Sequence, residues 1–176
     1  MPTIERLAHV GIHVEDHDRA VAFYRDVLGL QVTDSEPELG MTFLSSRPDV
    51  EHHELLIAGG RTSPAGTLML QQISWRCSSL DDIIGYHHRL IEHGVALDME
   101  VNHGNAIGIY FYDPEGNRNE VYWPTGLKAR QVYLEGVDLE APVAEILDKV
   151  RASVAAHGDT GYIEPGFLEK QQIAVS

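Results

Sequence analysis

Apolar and polar side chains alternate along residues 7–14, LAHVGIHV, as they do in a half-buried strand. The alternation separates an apolar face, with Ala8, Val10, Ile12 and Val14, from a polar face with His9, Gly11 and His13. The period then changes, because Val21, Tyr24 and Leu28 recur at helical spacing and a glycine follows them. Strand-like segments come next, near 30–34, 41–46 and 52–58. This part of the chain therefore predicts the order β-α-β-β-β.

The same order returns in the next part of the chain. Residues 68–77, LMLQQISWRC, alternate again and place Gln72 and Ser74 on one face. A helical segment follows, with Ser79 as its N-cap and Gly94 as its end. Further strand-like segments lie near 95–101, 105–112 and 118–123. We interpret this as a duplication in which His9 matches Gln72 in the first strands and Glu54 matches Glu120 in the last strands.

A tight hairpin is predicted within residues 101–120, VNHGNAIGIYFYDPEGNRNE. Asp113-Pro114-Glu115-Gly116 has a proline where a type I turn needs a restricted φ and a glycine where the chain must become left-handed. A three-residue loop of this kind pairs Asp113 with Asn117 and places Tyr110 opposite Glu120. One face of the hairpin is therefore apolar, and the other is polar with a carboxylate at its middle.

These patterns predict an α+β fold of paired βαβββ modules. Because each helix must cover the apolar side of its sheet, we expect a cupped mixed β-sheet with the helices on the outside. The modules span about 5–60 and 66–126, within a domain of residues 1–126. Residues 127–176 form a C-terminal extension with an amphipathic helix near 140–156, which covers a sheet edge or meets a second subunit in a homodimer.

Composition excludes several classes of partner. The formal net charge is −14, and protonating all ten histidines would still leave −4, so nucleic acid and an anionic membrane are not expected partners. We see no secretory signal and no apolar stretch near the ~20 residues of a membrane helix. The single cysteine, Cys77, excludes an intrachain disulfide and suits the reducing cytoplasm. We therefore expect a cytoplasmic protein.

The polar faces of the two modules carry candidate metal ligands. His9, Gln72 and Glu120 are predicted to project into the shared cup, where an imidazole, an amide oxygen and a carboxylate suit a divalent metal. The remaining helix histidines, His87, His88 and His93, are expected to be solvated.

Residues 101–120 resemble the diagnostic motif of type I extradiol ring-cleaving dioxygenases. The resembling positions are Val101-x-His103, Ile109-Tyr110, Asp113-Pro114-x-Gly116 and Glu120. Residues 9–30, HVGIHVEDHDRAVAFYRDVLGL, also resemble the opening unit of the wider vicinal oxygen chelate superfamily, which includes glyoxalase I and the bleomycin-binding proteins. The similarity covers roughly residues 5–126.

The resemblance implies a metal held between paired modules by His9, Gln72 and Glu120. It further implies that His53 is the acid-base catalyst and that His103 and Tyr110 hydrogen-bond the substrate hydroxyl oxygens. The implied reaction uses O₂ to cleave a small aromatic vicinal diol, with Fe(II) or Mn(II) as cofactor.

The chain departs from the dioxygenase pattern at Gln72, where a second histidine ligand is implied. This departure opens a second interpretation, a glyoxalase-type isomerase or lyase with His9, Glu54, Gln72 and Glu120 around Ni(II) or Zn(II). Strand alternation lets either His53 or Glu54 face the cup. The dioxygenase interpretation needs His53 there, and the isomerase interpretation needs Glu54. A third interpretation is a metal-free binding protein of the bleomycin-resistance type.

Overall fold

The computed structural model describes residues 3–4, 6–64, 66–130 and 133–157. These residues form two compact units. Unit 1 holds the described residues up to Gln71 together with Asp113–Asn117. Unit 2 holds Gln72–Tyr112 and the described residues from Arg118 onwards. Each unit contains its own mixed sheet, with one α-helix in unit 1 and two in unit 2 among the described residues.

Unit 1 contains a four-stranded sheet in the order β1-β4-β3-β2, in which β1 and β4 run parallel. The elements are β1 (Val10–His13), α1 (His17–Ala22), β2 (Gln31–Glu36), β3 (Met41–Ser45) and β4 (Leu55–Ala58). Helix α1 begins after Asp16, whose side chain accepts a hydrogen bond from the Arg19 backbone N–H, and it continues as a π-helical turn over Phe23–Val27. The core of the unit includes fully buried Tyr24, Leu44 and Ile57.

Unit 2 contains a five-stranded sheet in the order β5-β8-β7-β6-β9. The elements are β5 (Ile73–Arg76), α2 (Leu80–Glu92), β6 (Leu97–Asn102), β7 (Ala106–Tyr112), β8 (Arg118–Pro124), β9 (Glu135–Gly136) and α3 (Val143–His157). Helix α2 starts with a capping box, because Ser79 and Asp82 each bind the other's backbone N–H. Ile107, Ile109 and Phe111 on β7 are fully buried and form the core under the sheet.

The β-α-β-β-β order predicted from the sequence is confirmed in both halves of the chain. The hairpin is also confirmed in detail. Tyr110 stands opposite Glu120 in the β7–β8 ladder, and the backbone N–H of Asp113 donates to the carbonyl of Asn117 at 3.0 Å. Gly116 has the left-handed φ of 80° that the turn requires. Local turn chemistry is therefore sufficient to set this register.

The predicted C-terminal helix is present as α3, and it buries Ile146, Val150 and Ser153. The short strand β9 before it pairs antiparallel with β6. Residues 158–176, the rest of the predicted extension, lie outside the described residues. Within the part of the chain that the structure describes, no helix combines the length and apolar character of a membrane span.

The expectation that the helix histidines are all solvated is wrong for His87, which is only 7% exposed. His87 belongs to the stripe of α2 that packs inward, together with Leu80, Ile83 and Leu90. Its Nδ1 contacts the Glu100 carboxylate, and its Nε2 lies 2.9 Å from Glu140 Oε1. His88, whose side chain is 58% exposed, also reaches Glu140, at 3.2 Å. The imidazole of His87 is therefore buried between two acidic side chains.

This arrangement predicts a pH-dependent contribution to stability. Burial lowers the pKa of His87, but the hydrogen bonds and charges of Glu100 and Glu140 outweigh burial and raise it above the ordinary value. A raised pKa in the folded state stabilises the protein fully below the unfolded pKa of about 6.5, and this contribution is lost as the pH rises through the folded pKa.

We therefore expect His87→Gln to lower the free energy of unfolding by about 1 kcal/mol more at pH 6 than at pH 9, since bonds to charged groups contribute at that level. Urea unfolding of both proteins at several pH values measures the difference. His88→Gln is the matched control and should show a smaller pH dependence. Equal losses for His87→Gln at both pH values would contradict the prediction.

Candidate functional site

The carboxylate of Glu120 is the centre of a polar cluster in unit 2. Glu120 is only 6% exposed, and its Oε2 accepts hydrogen bonds from Ser74 Oγ at 2.5 Å and Gln72 Nε2 at 2.9 Å. Burial alone would raise the pKa of Glu120, but the interactions with His103, Ser74 and Tyr110 outweigh burial and hold the pKa below its ordinary value. Glu120 is therefore a buried carboxylate that stays ionised at neutral pH.

The sequence did not identify Ser74 or Gly108 as part of this cluster. Ser74 pairs with Glu120 in the parallel β5–β8 ladder, which places its hydroxyl beside the carboxylate. Gly108 on β7 leaves the space that the carboxylate fills, because a Cβ at this position would lie 2.8 Å from Glu120 Oε1. Strand alternation in the sequence could have identified both residues, because Ser74 lies on the same strand face as Gln72 and Gly108 lies on the same face as Tyr110.

Gln72 lies one residue before β5, and its amide terminus is next to the Glu120 carboxylate. The amide nitrogen faces Glu120, and a half-turn about the terminal bond would place the amide oxygen there instead. Hard divalent cations take carboxylate and amide oxygens as ligands, and these two side chains could place one of each side by side. The chemistry of Gln72 and Glu120 therefore fits a divalent metal.

His103 and Tyr110 contact each other beside Glu120. His103 Nε2 lies 3.2 Å from the Tyr110 hydroxyl and 3.7 Å from Glu120 Oε1. Burial and the charge of Glu120 raise the pKa of Tyr110, although the Arg118 guanidinium, 4.1 Å from the ring centroid, acts in the opposite direction. The phenol of Tyr110 therefore remains a hydrogen-bond donor at neutral pH. The structure brings four predicted residues of unit 2 together: Gln72, His103, Tyr110 and Glu120.

The other predicted residues, His9, His53 and Glu54, belong to unit 1. The rings of His9 and His53 are adjacent, with centroids 4.2 Å apart, and Phe43 meets the His53 ring edge-on at 5.0 Å. Burial, with smaller contributions from His9 and His52, lowers the pKa of His53. His53 is therefore a neutral imidazole at neutral pH, which suits a base.

Glu54 has a different set of partners. Its Oε2 accepts hydrogen bonds from the backbone N–H and the hydroxyl of Ser46, at 2.8 and 2.5 Å, and its Oε1 lies 3.0 Å from Arg47 Nε. Strand alternation does not decide between His53 and Glu54, because β4 begins only at Leu55. The structure instead pairs His53 with His9 and Glu54 with Ser46 and Arg47.

The ladder also corrects the expected match between Glu54 and Glu120. In unit 2, Glu120 pairs with the residue two positions after Gln72. In unit 1, the residue two positions after His9 pairs with Leu56. With His9 matched to Gln72, the position equivalent to Glu120 is therefore Leu56, and the expected match is wrong by two residues. An aliphatic side chain there cannot act as a metal ligand.

Unit 1 also contains a cavity of about 620 Å³. It is lined by Gly11 and His13 of β1 and by residues 60–64, 66–67 and 69–70. Its size lies within the range of pockets that enclose small molecules. Arg61 lines it with a side chain that is only 9% exposed and is paired with Glu115 at 2.7 Å.

Two curated relatives are dioxygenases by name. Biphenyl-2,3-diol 1,2-dioxygenase 3 from Rhodococcus globerulus is 30% identical over 127 residues, which are 69% of this chain and 64% of the relative. The manganese-dependent 2,3-dihydroxybiphenyl 1,2-dioxygenase from Geobacillus genomosp. 3 is 25% identical over 72% of this chain and 41% of the relative. This chain thus spans less than two thirds of the first relative and less than half of the second.

Solved structures share the fold. The fosfomycin resistance protein FosX from Listeria monocytogenes matches with a TM-score of 0.58 and 21% identity, over 70% of this chain and 94% of that chain. The model of one family, described as the glyoxalase/bleomycin resistance protein/dioxygenase superfamily, matches residues 6–121, which run from the first βαβββ module into β8, the last strand of the second. The chain therefore belongs to the glyoxalase/bleomycin resistance protein/dioxygenase superfamily.

Proposed function

We propose that this chain carries the active site of a metal-dependent dioxygenase that cleaves an aromatic vicinal diol by the extradiol route. The observation that carries the proposal is the buried, ionised carboxylate of Glu120 with the side chains of Gln72, His103 and Tyr110 around it. A buried carboxylate that stays ionised beside groups able to hold a metal or to hydrogen-bond a substrate is typical of a functional site.

In this proposal, His9, Gln72 and Glu120 hold the metal. Fe(II) and Mn(II) are favoured over softer ions because two of the three donors are oxygens and one of these is neutral. One relative is named as manganese-dependent, which supports the same choice. When bound, the ion supplies a Lewis acid that lowers the pKa of a diol hydroxyl.

The other polar residues are assigned to hydrogen bonding and proton transfer. The Tyr110 hydroxyl and His103 Nε2, 3.2 Å apart, are placed to hold one oxygen of the diol between them. The neutral imidazole of His53 takes up a proton from the substrate and returns it during ring opening. Because His53 Nδ1 lies 2.9 Å from His52 Nδ1, we assign the exchange to Nε2.

The glyoxalase-type interpretation finds less support. It needs Glu54 as a fourth ligand, but both Glu54 oxygens are engaged by Ser46 and Arg47, and Leu56 occupies the position equivalent to Glu120. The superfamily itself includes proteins of several activities, so a direct assay must separate them.

The test is anaerobic purification, loading with Fe(II) or Mn(II), and addition of a panel of catechols. We expect oxygen uptake together with the yellow absorbance of a ring-opened product. Turnover of the methylglyoxal–glutathione adduct on Ni(II) or Zn(II), without oxygen uptake, would instead identify an isomerase. Failure to retain stoichiometric metal would identify a binding protein.

Variants at Gln72 test the ligand set. We expect Gln72→Ala to weaken Fe(II) binding by at least about 10-fold, the lower end of what even outer partners of a metal contribute. Gln72→His should bind Fe(II) more tightly than the wild type, since imidazole is a stronger donor to iron than a neutral amide. Equilibrium titration with a competing chelator measures both. An unchanged affinity in Gln72→Ala would remove Gln72 from the ligand set.

A further inference from the structure

The ring of His103 is oriented by a backbone carbonyl from outside the region that matches the family. His103 Nδ1 lies 2.9 Å from the carbonyl oxygen of Tyr133, whereas the family match ends at residue 121. A carbonyl oxygen only accepts hydrogen bonds, so the Nδ1 of His103 must carry a proton in this contact. This leaves Nε2 as the nitrogen that faces Tyr110 and Glu120.

The position of Tyr133 is itself supported by hydrogen bonds among polar side chains. The Tyr133 hydroxyl donates to Glu135 Oε2 at 2.8 Å, and Ser153 Oγ of α3 donates to the same oxygen at 2.6 Å. Asn102, the neighbour of His103, pairs with Glu135 in the β6–β9 ladder, and its Nδ2 lies 3.2 Å from Ser153 Oγ. Two elements of the extension, β9 and α3, therefore meet beside His103.

The pKa shifts of Glu135 and Tyr133 keep each of these side chains in one protonation state near neutral pH. Hydrogen bonds from Ser153 and Tyr133 outweigh burial and keep the pKa of Glu135 below its ordinary value. Burial raises the pKa of Tyr133 to about 12, so its hydroxyl keeps the proton that it donates. The ring of Tyr133 also packs against the ring of His157 at the end of α3, with centroids 4.5 Å apart. The contacts with Glu135 and His157 thus fix the position of Tyr133 and of its carbonyl.

We propose that residues 133–157 are a positioning element for His103, which the Tyr133 carbonyl holds with the proton on Nδ1 and with Nε2 directed to Tyr110. The catalytic meaning of this inference rests on the proposed function, in which His103 contacts the substrate. Glu135 and Ser153 act through Tyr133 and are positioning residues. The extension then has a role beyond covering the edge of a sheet.

The test uses nitrogen-15 NMR of the histidine rings in the metal-free 176-residue chain. In the wild type, His103 should be protonated at Nδ1. In Glu135→Gln and in Ser153→Ala, the proton should be distributed between the two ring nitrogens. In the metal-loaded chain, we expect kcat for diol cleavage to fall about 10- to 100-fold with a smaller change in KM, since outer partners of a site have effects of this size.

Asp148→Asn is the matched control, because it removes an exposed ion pair with Arg151 on the same helix and leaves Glu135 and Ser153 in place. It should change neither the ring signals nor kcat. Protonation of wild-type His103 at Nε2, or identical ring signals in the wild type and both variants, would overturn the proposal. Altered ring signals in a chain with no dioxygenase activity would support the positioning role and reject the proposed function. A failure of the positioning role can therefore be distinguished from a failure of the proposed function.

Discussion

Replacing Glu120 with glutamine should abolish stoichiometric metal binding and lower diol cleavage roughly 1,000-fold or more, because several kcal/mol of charge stabilisation are lost. The substitution keeps the size of the side chain but removes the anion. It also leaves Ser74 and Gln72, which donate to Glu120 Oε2 at 2.5 and 2.9 Å, facing a weaker acceptor. Metal analysis of the purified protein and oxygen-uptake kinetics measure the two effects.

Glu54→Gln is the matched control for this experiment. It changes a carboxylate that lies beside the last strand of unit 1, where Ser46 and Arg47 engage both oxygens. If the chain is a dioxygenase with three protein ligands, Glu54→Gln should keep its metal and most of its activity. A loss of metal equal to that of Glu120→Gln would contradict this assignment and restore the four-ligand isomerase. Full activity in Glu120→Gln would refute the proposed site altogether.

Replacing Asp113 with alanine should destabilise the protein by about 3–5 kcal/mol, because several buried donors would lose their acceptor at about 1–3 kcal/mol each. Asp113 is 4% exposed, and its Oδ1 accepts from the backbone N–H groups of Glu115 and Asn117 at 2.9 and 2.7 Å. Its Oδ2 accepts from the Tyr24 hydroxyl at 2.7 Å and from Asn117 Nδ2 at 2.9 Å. The alanine variant would leave several of these donors buried without an acceptor.

Tyr24→Phe separates the parts of this effect. It removes one of the four hydrogen bonds and should cost about 1–2 kcal/mol. In the double variant, the loss should be smaller than the sum of the single losses, because the Tyr24 hydroxyl is no longer left unpaired. Urea unfolding of the three variants and the wild type measures all four free energies. Additive losses would show that Tyr24 and Asp113 do not interact.

The two modules and the hairpin could be predicted from the sequence because the signals are local. The change from period-two to helical spacing marks α1 and α2, and Ser79 marks the start of α2. A proline and a left-handed glycine two residues apart determine the hairpin turn and hence the pairing of Tyr110 with Glu120. The resemblance of residues 101–120 to a dioxygenase motif uses the same short-range information.

The remaining features depend on contacts between residues far apart in the chain. The position equivalent to Glu120 is Leu56 because the register of a parallel pair depends on where each strand starts, and the segment before β4 does not reveal this. His87 is buried because the inner stripe of α2 includes it, and its charge is supported by Glu100 and Glu140 from other segments.

The sequence by itself determined the order of the elements, the turn chemistry and the identity of the polar side chains, since each of these follows from residues within one or two turns of the chain. Only the tertiary structure decided that Ser74 and Gly108 shape the space around Glu120, and that the carbonyl of Tyr133 orients His103. The physical reason is that hydrogen-bond partners and close approaches arise from packing between strands and helices, which no local pattern encodes.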